Sequence, residues 1–567
     1  MTRHLSDVPS AEACLFDPVA APPDPALVLS LGAGRALRSG LLPWRRAGGS
    51  VIVLTARDQV SRSDMRELDT LFGSVRLAPV SEETLQAALH DGFGASLARE
   101  AEDRVPANHS SRSWRPRRAM AAGLAILAAL VVCYVLSPVL TLFAFTGLAS
   151  GLLLFGSALK IAALVAAGRG GALPVVTRDP PDWPAISLLI PLFRETAITD
   201  HLIGWLEALD YPRDRLDVCF VLEAGDATTR RALGRARLPD WMRAIVVPTG
   251  TIRTKPRALN YALNFARGDI VGVYDAEDAP DPDQLRVVAR TFAAAGPDVA
   301  CLQGILDYYN ASANWLTRCF TLEYAGWFRV ILPGYARMGL VVPLGGTTLF
   351  FRRQVLEELG AWDAHNVTED ADLGLRLARN GYHTDFIPTV TGEEANGRLW
   401  PWIRQRSRWL KGYAITYAVH MRDPQALWRD LGPWRFFGVQ MLFLGTLAQF
   451  LLAPVLWSFW LVPAGLPHPV MEAVNAPIAW TFFGVFIAAE VTQLSIAALA
   501  ACRAGKGWLV KWALTLPVYF PLGTLAALKG LGELTWRPFF WDKTAHGVLL
   551  PEVSRTVPQP ARPASGA

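Results

Sequence analysis

The chain has 567 residues, enough for two or three domains, and it is apolar: 51% hydrophobic and 19% charged, against about a quarter charged in ordinary soluble domains. The net charge of +5 comes with no basic stripe interleaved with aromatics, so no nucleic acid is expected as a partner. Six scattered cysteines, at 14, 133, 219, 301, 319 and 502, form no CxxC pair and suggest neither a zinc site nor a disulfide framework.

Met1 to Ser30 is polar and Pro-rich, without the apolar stretch of a signal peptide. Residues 1–113 read as a small α/β module. Ser50–Thr55 is a strand, Ser63–Phe72 a helix, Val75–Pro79 a strand and Glu82–His90 a helix. The order "LLPWRRAGGSVIVLTARD", helix, "VRLAPVSEETLQAAL" resembles the N-terminal domain of type II secretion ATPases. The chain has no GxxxxGK[ST], so ATPase chemistry is not implied. A regulatory module with its own partner is expected. Its Arg45 and Arg46 could pair with a phosphate or an acidic partner, and its removal is expected to leave basal activity intact.

Residues 114–168 read as a transmembrane hairpin. Ala119 to Leu159 carries no Asp, Glu, Lys or Arg, about twice the ~20 residues that cross a bilayer, with Pro138 near the middle. Arg112, Arg115, Arg117 and Arg118 precede it and argue that the N-terminus stays cytoplasmic.

Residues 169–395 form the main soluble domain. Strands Ala185–Pro191, Leu216–Leu222, Ala244–Val247 and Ile270–Tyr274 alternate with helices Ile198–Leu209, Ala227–Ala236 and Ala258–Ala266. Strands apolar throughout predict a parallel sheet covered on both faces, with ligands at the carboxyl ends of the strands. Residues 396–434 mix Trp and Tyr with Arg and Lys and predict interfacial amphipathic helices. Residues 435–545 hold further uncharged runs: Phe436–Met471, Ala473–Cys502 broken only by Glu490, and Trp512–Leu528 with Pro517 and Pro521. The last either spans or is re-entrant. A tail, 546–567, closes the chain. The Lys/Arg distribution over the loops puts the soluble domain on the cytoplasmic side of a multi-pass plasma (inner) membrane protein, with the bilayer as a partner.

Four polar groups stand out: Glu223-Ala-Gly-Asp226 after the second strand, Asp275-Ala-Glu277-Asp278 after the fourth, Thr368-Glu369-Asp370 opening a helix, and Gln405-Arg-Ser-Arg408-Trp409. The first two place carboxylates at the ends of parallel strands, where they can face one crevice. Asp275 and Glu277 can serve a nucleotide and a Mg²⁺ or Mn²⁺ ion, which takes few carboxylates plus phosphate oxygens. Asp370, with Glu369 beside it, is the candidate general base for taking a proton from an attacking hydroxyl. Thr368 is a natural cap for that helix. Gln405, Arg408 and Trp409 share one helix face at i, i+3 and i+4, where Arg can pair with phosphate and Trp can stack on a sugar.

With "IPLFRE", "TKPRALNYAL", "YDAEDAP", "GGTTLFFRR", "TEDADLGLRL" and "QRSRW" in this order, residues 180–545 resemble the processive membrane family 2 glycosyltransferases, which include cellulose, hyaluronan and chitin synthases. The resemblance implies an α/β GT-A-like domain beside transmembrane helices. It implies a nucleotide-sugar donor, a UDP-sugar, and inverting, metal-dependent transfer to a growing glycan. Glu195 and Glu223 would meet the nucleoside and Lys255 the pyrophosphate. Asp275 and Glu277 would hold diphosphate and metal, Asp370 would be the base, and Gln405, Arg408 and Trp409 would hold the acceptor end and pyrophosphate. Two departures matter. Glu223 and Asp226 stand where a paired Asp is usual, leaving two candidates for the nucleoside contact, and Glu277 replaces the usual metal-binding Asp. Two other readings stay open: transfer of single sugars to a lipid-linked acceptor, and a non-catalytic membrane sensor with a degenerate transferase domain.

Overall fold

The computed structural model describes residues 17–540 except 19, 58, 170–175, 196–198 and 237. Cys14 and the tail 546–567 lie outside the described residues. Among the described residues the five cysteines are free thiols.

The N-terminal module holds a three-stranded sheet: β1 (Leu41–Ala47), β2 (Ser50–Thr55) and β3 (Val75–Pro79). β1 runs antiparallel to β2, and β2 parallel to β3. The expected strands β2 and β3 form with the predicted bounds. The helix over Ser63–Phe72 is Arg62–Phe72, capped by the Ser61 side chain. The helix begun at Glu82 continues past His90 to Asp103, because Phe93, Leu97, Ala98 and Ala101 keep an apolar stripe buried. β1 and the helices Pro25–Leu31 and Ala33–Ser39 were not anticipated.

The main sheet has eight strands: β4 (Ile186–Leu192), β5 (Leu216–Glu223), β6 (Met242–Val247), β7 (Ile270–Val273), β8 (Ala279–Pro280), β9 (Val299–Tyr308), β10 (Leu349–Arg352) and β11 (His383–Glu393). Their order is β6-β5-β4-β7-β10-β9-β11-β8. The expected parallel sheet holds for β4 to β7. The other half corrects it: β10 is antiparallel to both β7 and β9, so the sheet is mixed. Both faces are covered. Leu189, Cys219, Val221, Val271 and Val273 point to one core, and Leu188, Ile190, Val218, Phe220 and Ile270 to the other. This period-two alternation within apolar runs is what two-sided burial requires.

The first of these cores does not stop at the domain boundary. It includes Leu42, Leu54, Leu89, Phe93 and Leu97 of the N-terminal module together with Leu259 and Leu263 of the helix Lys255–Leu263. The module is therefore packed into the main-sheet domain through a shared apolar core.

Among the described residues four helices are long and apolar enough to cross a membrane: Pro116–Leu136, Pro138–Arg169, Pro424–Leu461 and Ala476–Arg503. Gly507–Ala513 and Leu516–Glu533 form a pair bent by 60°, near Pro517, which is either a broken span or a re-entrant element. The chain thus has the makings of a multi-pass membrane protein.

The helix Leu399–His420 lies in the segment 396–434 expected to be amphipathic and interfacial, and one side of it packs into the protein. Trp402, Arg406 and Lys411 are buried, because the helix is clamped against Leu522–Glu533. Arg406 donates to Glu323 at 2.6 Å, Tyr519 donates to the same carboxylate at 2.7 Å, and Lys411 donates to Glu533 at 2.8 Å. A buried guanidinium tolerates this only while paired. Arg406→Ala should destabilise the fold by about 3–5 kcal/mol, the scale for stripping a buried ion pair of one partner. Thermal unfolding of the purified variant measures this.

Candidate active site

Three strand ends and three helix starts converge on one cavity of about 560 Å³. Past β4 come Phe193 and Glu195, β5 ends on Glu223, and β7 leads into Asp275 and Glu277, all of which line it. The start of the helix Lys255–Leu263 brings Lys255, that of Glu369–Arg379 brings Glu369 and Asp370, and Leu399–His420 brings Gln405, Arg408 and Trp409. Of the eleven residues predicted for the site, ten line this cavity.

The eleventh is Asp226. Its carboxylate caps the helix Ala227–Arg235, accepting from Thr229 N at 3.2 Å and Thr229 Oγ1 at 2.6 Å. It also accepts from Arg194 N at 2.5 Å, tying the segment after β4 to the end of β5. These bonds hold it below the ordinary carboxylate range against the effect of burial. The group expected to touch the nucleoside is thus committed to backbone, and Glu223 is the acid at the cavity wall. Asp226→Ala should cost about 1 kcal/mol or somewhat more for the lost cap and latch. Donor affinity should change less than about threefold. Thermal unfolding and a donor titration together test this.

Glu223 is buried, which pushes its carboxyl up, while Arg257 Nη2 donates to it at 2.8 Å and opposes that shift. Lys255 is buried between the Asp275 carboxylate, at 2.5 Å, and the Gly346 carbonyl, at 2.9 Å. The Asp275, Glu369 and Asp370 charges keep it firmly ammonium. Asp278 is fully buried and accepts from Asp275 N at 2.8 Å and from Thr347 Oγ1. Burial and the charges of Asp275 and Glu277 hold its carboxyl well above the usual range.

Asp370 lines the same cavity. Thr368 does not cap its helix as expected: its hydroxyl turns to Asn366 instead. Asp370 Oδ1 accepts from Ala371 N at 2.8 Å. Burial raises Asp370, with Lys255 and Arg408 pulling it back, and burial with the Asp370 charge pushes Glu369 up to about 7. The loop Gly345–Thr348 faces both acids. Gly346 has φ +71, and a Cβ there would stand 3.1 Å from Asp370 Oδ2, so both conformation and space favour glycine. Gln405 Oε1 accepts from Asn396 at 2.8 Å, and Trp409 lies 6.2 Å from the Tyr324 ring, tilted by 30°.

A divalent cation needs hard oxygen donors, and the wall supplies Asp275 and Glu277. Among the described residues no group of three or more metal-binding side chains is preassembled, so phosphate oxygens of a bound donor would have to complete the shell. Negative charge at this wall is in excess. Glu393, which also lines the cavity, is pushed well above its ordinary range by burial and by Asp278, Glu277 and Asp275. The residues present fit a cation.

The cavity extends past Trp409 and Tyr413 between the membrane-type helices. Lys160, Gln449, Glu490 and Gln493 line it there, and Lys160 Nζ donates to Gln493 at 2.8 Å. These residues were not predicted. Their signal was present: Lys160 closes the first uncharged run and Glu490 interrupts a later one, and an ionisable residue at membrane depth marks a pathway or site by default.

A family model described as glycosyl transferase family group 2 matches residues 270–492. A beta-monoglucosyldiacylglycerol synthase of Synechocystis is 30% identical over 44% of this chain and 53% of its own length. A UDP-forming cellulose synthase catalytic subunit of Komagataeibacter xylinus is 25% identical over 58% of this chain and 43% of its own. The chain thus spans about half the length of these relatives. A mannosyltransferase structure from Pyrobaculum calidifontis, in complex with GDP-Man and Mn²⁺, aligns with a TM-score of 0.44 at 22% identity, over 62% of this chain and 99% of its own. The expected α/β GT-A-like class holds, as a mixed sheet with membrane-type helices. The comparisons lend no support to the likeness of residues 1–113 to secretion ATPases. Residues 270–492 thus match the family 2 glycosyltransferase model and have cellulose synthase-like relatives, and the carboxylates gathered in the cavity are consistent with that likeness.

Proposed function

We propose that the chain is an inverting, divalent-metal-dependent glycosyltransferase that moves a hexose from a UDP-sugar to a glycan acceptor at the cytoplasmic face of the plasma membrane. The observation that carries this reading is the single cavity. It joins the Asp275–Glu277 wall to Asp370 and then continues among helices able to cross a membrane. The nucleoside lies toward Glu195 and Glu223, and the diphosphate toward Asp275, Lys255 and Arg408. A bound Mg²⁺ or Mn²⁺ at Asp275 and Glu277 would offset the diphosphate charge and aid its departure.

Asp370 takes the proton of the acceptor hydroxyl. The oxygen then attacks the anomeric carbon while the bond to the diphosphate breaks, so configuration inverts in one displacement. Lys255 and Arg408 face the charge that grows on the leaving diphosphate. Trp409 stacks on the sugar at the acceptor end, and Gln405 fixes its orientation.

A second acceptor class is favoured by a specific observation. The cavity reaches membrane depth through polar side chains, where a lipid-linked hydroxyl could also enter. The sensor reading is disfavoured, because Asp275, Asp370 and the Gln405–Trp409 face all meet at one cavity. The test is a donor screen on the purified full chain in lipid nanodiscs with Mn²⁺ or Mg²⁺, followed by product mass. Release of nucleoside diphosphate with a long glycan supports the polymer reading. A single sugar on lipid selects the second acceptor class, and no turnover of any donor would overturn the enzymatic reading.

A further inference from the structure

The helix Glu82–Asp103 of the N-terminal module carries Glu102 in its last turn, a residue only 6% exposed. It reaches across the domain boundary to the loop after β6. Thr251 donates to it twice, from its backbone N at 2.7 Å to Oε1 and from its hydroxyl at 2.5 Å to Oε2. Arg257 Nη1 stands 3.8 Å from the same group, and Arg257 Nη2 donates to Glu223 at 2.8 Å. Arg257 is wholly buried and is anchored as well by the Pro248 carbonyl at 3.0 Å. The fit at the junction is tight: a Cβ on Gly250 would stand 2.2 Å from Glu102 Oε1 and 2.3 Å from Arg257 Nη1. A second brace lies close by. Asn260, on the Arg257 helix, donates to Ala101 O at 2.9 Å and to Trp362 O at 2.7 Å, while Ser110 donates to Asp363 at 2.8 Å. The end of the module thus grips both the loop that leads to Lys255 and the loop that leads to Asp370.

We propose that Glu102 is a positioning residue for the nucleotide pocket: through Thr251 and Arg257 it fixes the Glu223 carboxylate at the cavity wall, so that residues 1–113 are part of the catalytic unit. The argument rests on the reading of Glu223 as the nucleoside end of a donor site. A lone carboxylate so buried would be costly, and it persists because Thr251 and Arg257 satisfy it. Removing it frees the loop and leaves the orientation of Arg257 to the Glu223 pair and the Pro248 carbonyl. This differs from the detachable regulator expected from the sequence. The difference arises because Glu102 and Thr251 are 149 positions apart and only the fold joins them.

The test uses the full chain in detergent and measures binding of UDP, GDP and inorganic pyrophosphate, each with Mn²⁺, by calorimetry. Glu102→Ala should weaken the nucleoside diphosphate that wild type binds by about tenfold, the scale of one charge-assisted hydrogen bond. Pyrophosphate should stay within about twofold, because Asp275 and Lys255 are untouched. Glu102→Gln keeps an oxygen for Thr251 N and should recover most of the loss. Wild-type affinity for the nucleoside diphosphate in Glu102→Ala would overturn the proposal. So would an equal loss of pyrophosphate, which would mean a general loosening of the fold. If wild type binds pyrophosphate but neither UDP nor GDP, the reading of the Glu223 end falls, and this inference with it.

Discussion

Replacing Asp370 by Asn should reduce sugar transfer by at least about 10²-fold, the usual scale for a general base, while leaving donor binding nearly intact. In the proposed mechanism Asp370 acts on the acceptor hydroxyl rather than on the nucleotide. The swap is nearly isosteric, so the contact with Ala371 N survives through the amide oxygen. Burial holds the Asp370 carboxyl above the usual range. A base must be deprotonated to act, so activity falls as pH drops through that raised value, and the acid limb of kcat lies above ordinary carboxylate pKa values of ~4. Turnover and nucleotide binding measured on the same preparation check this. Near-normal turnover in Asp370→Asn would remove the residue from the mechanism.

Withdrawal of divalent cations should abolish turnover, and either Mn²⁺ or Mg²⁺ should restore it. A diphosphate brought to the carboxylates of Asp275 and Glu277 meets net repulsion, with Lys255 already engaged by Asp275. Glu277→Gln should raise the metal concentration for half-maximal activity by about tenfold, the loss of one charged ligand. Full turnover in EDTA would contradict both expectations. Metal titrations of wild type and variant under one donor concentration provide the readout.

The parallel half of the sheet was legible because β4 to β7 are largely apolar runs, as strands buried on two faces tend to be. β9 to β11 were not. β11, with Pro388 inside it and a register irregularity between Phe386 and Val390, shows neither a continuous apolar run nor clean alternation. The site acids were legible wherever they follow a strand or open a helix, since strand ends set ligand positions in such sheets. Asp226 shows the limit of that rule. It lies three residues after Glu223, yet a cap and a backbone latch claim it, and only geometry separates the two. Arg257 gave no signal, because a buried guanidinium sits in "TKPRALNYAL" like any surface charge. The membrane-depth polar residues were readable from their interruption of apolar runs. Their continuity with Asp370 was not, because it depends on how the helices pack.

The most direct measurement of the central claim is the mass and stereochemical balance of one turnover. Purified full chain, metal and a donor with an α-linked sugar should release one nucleoside diphosphate per sugar gained by the acceptor, and nuclear magnetic resonance of the new bond should show the β configuration. Nucleotide release with no sugar gained, or a product that keeps the α configuration, would contradict a single displacement driven by Asp370 in this cavity.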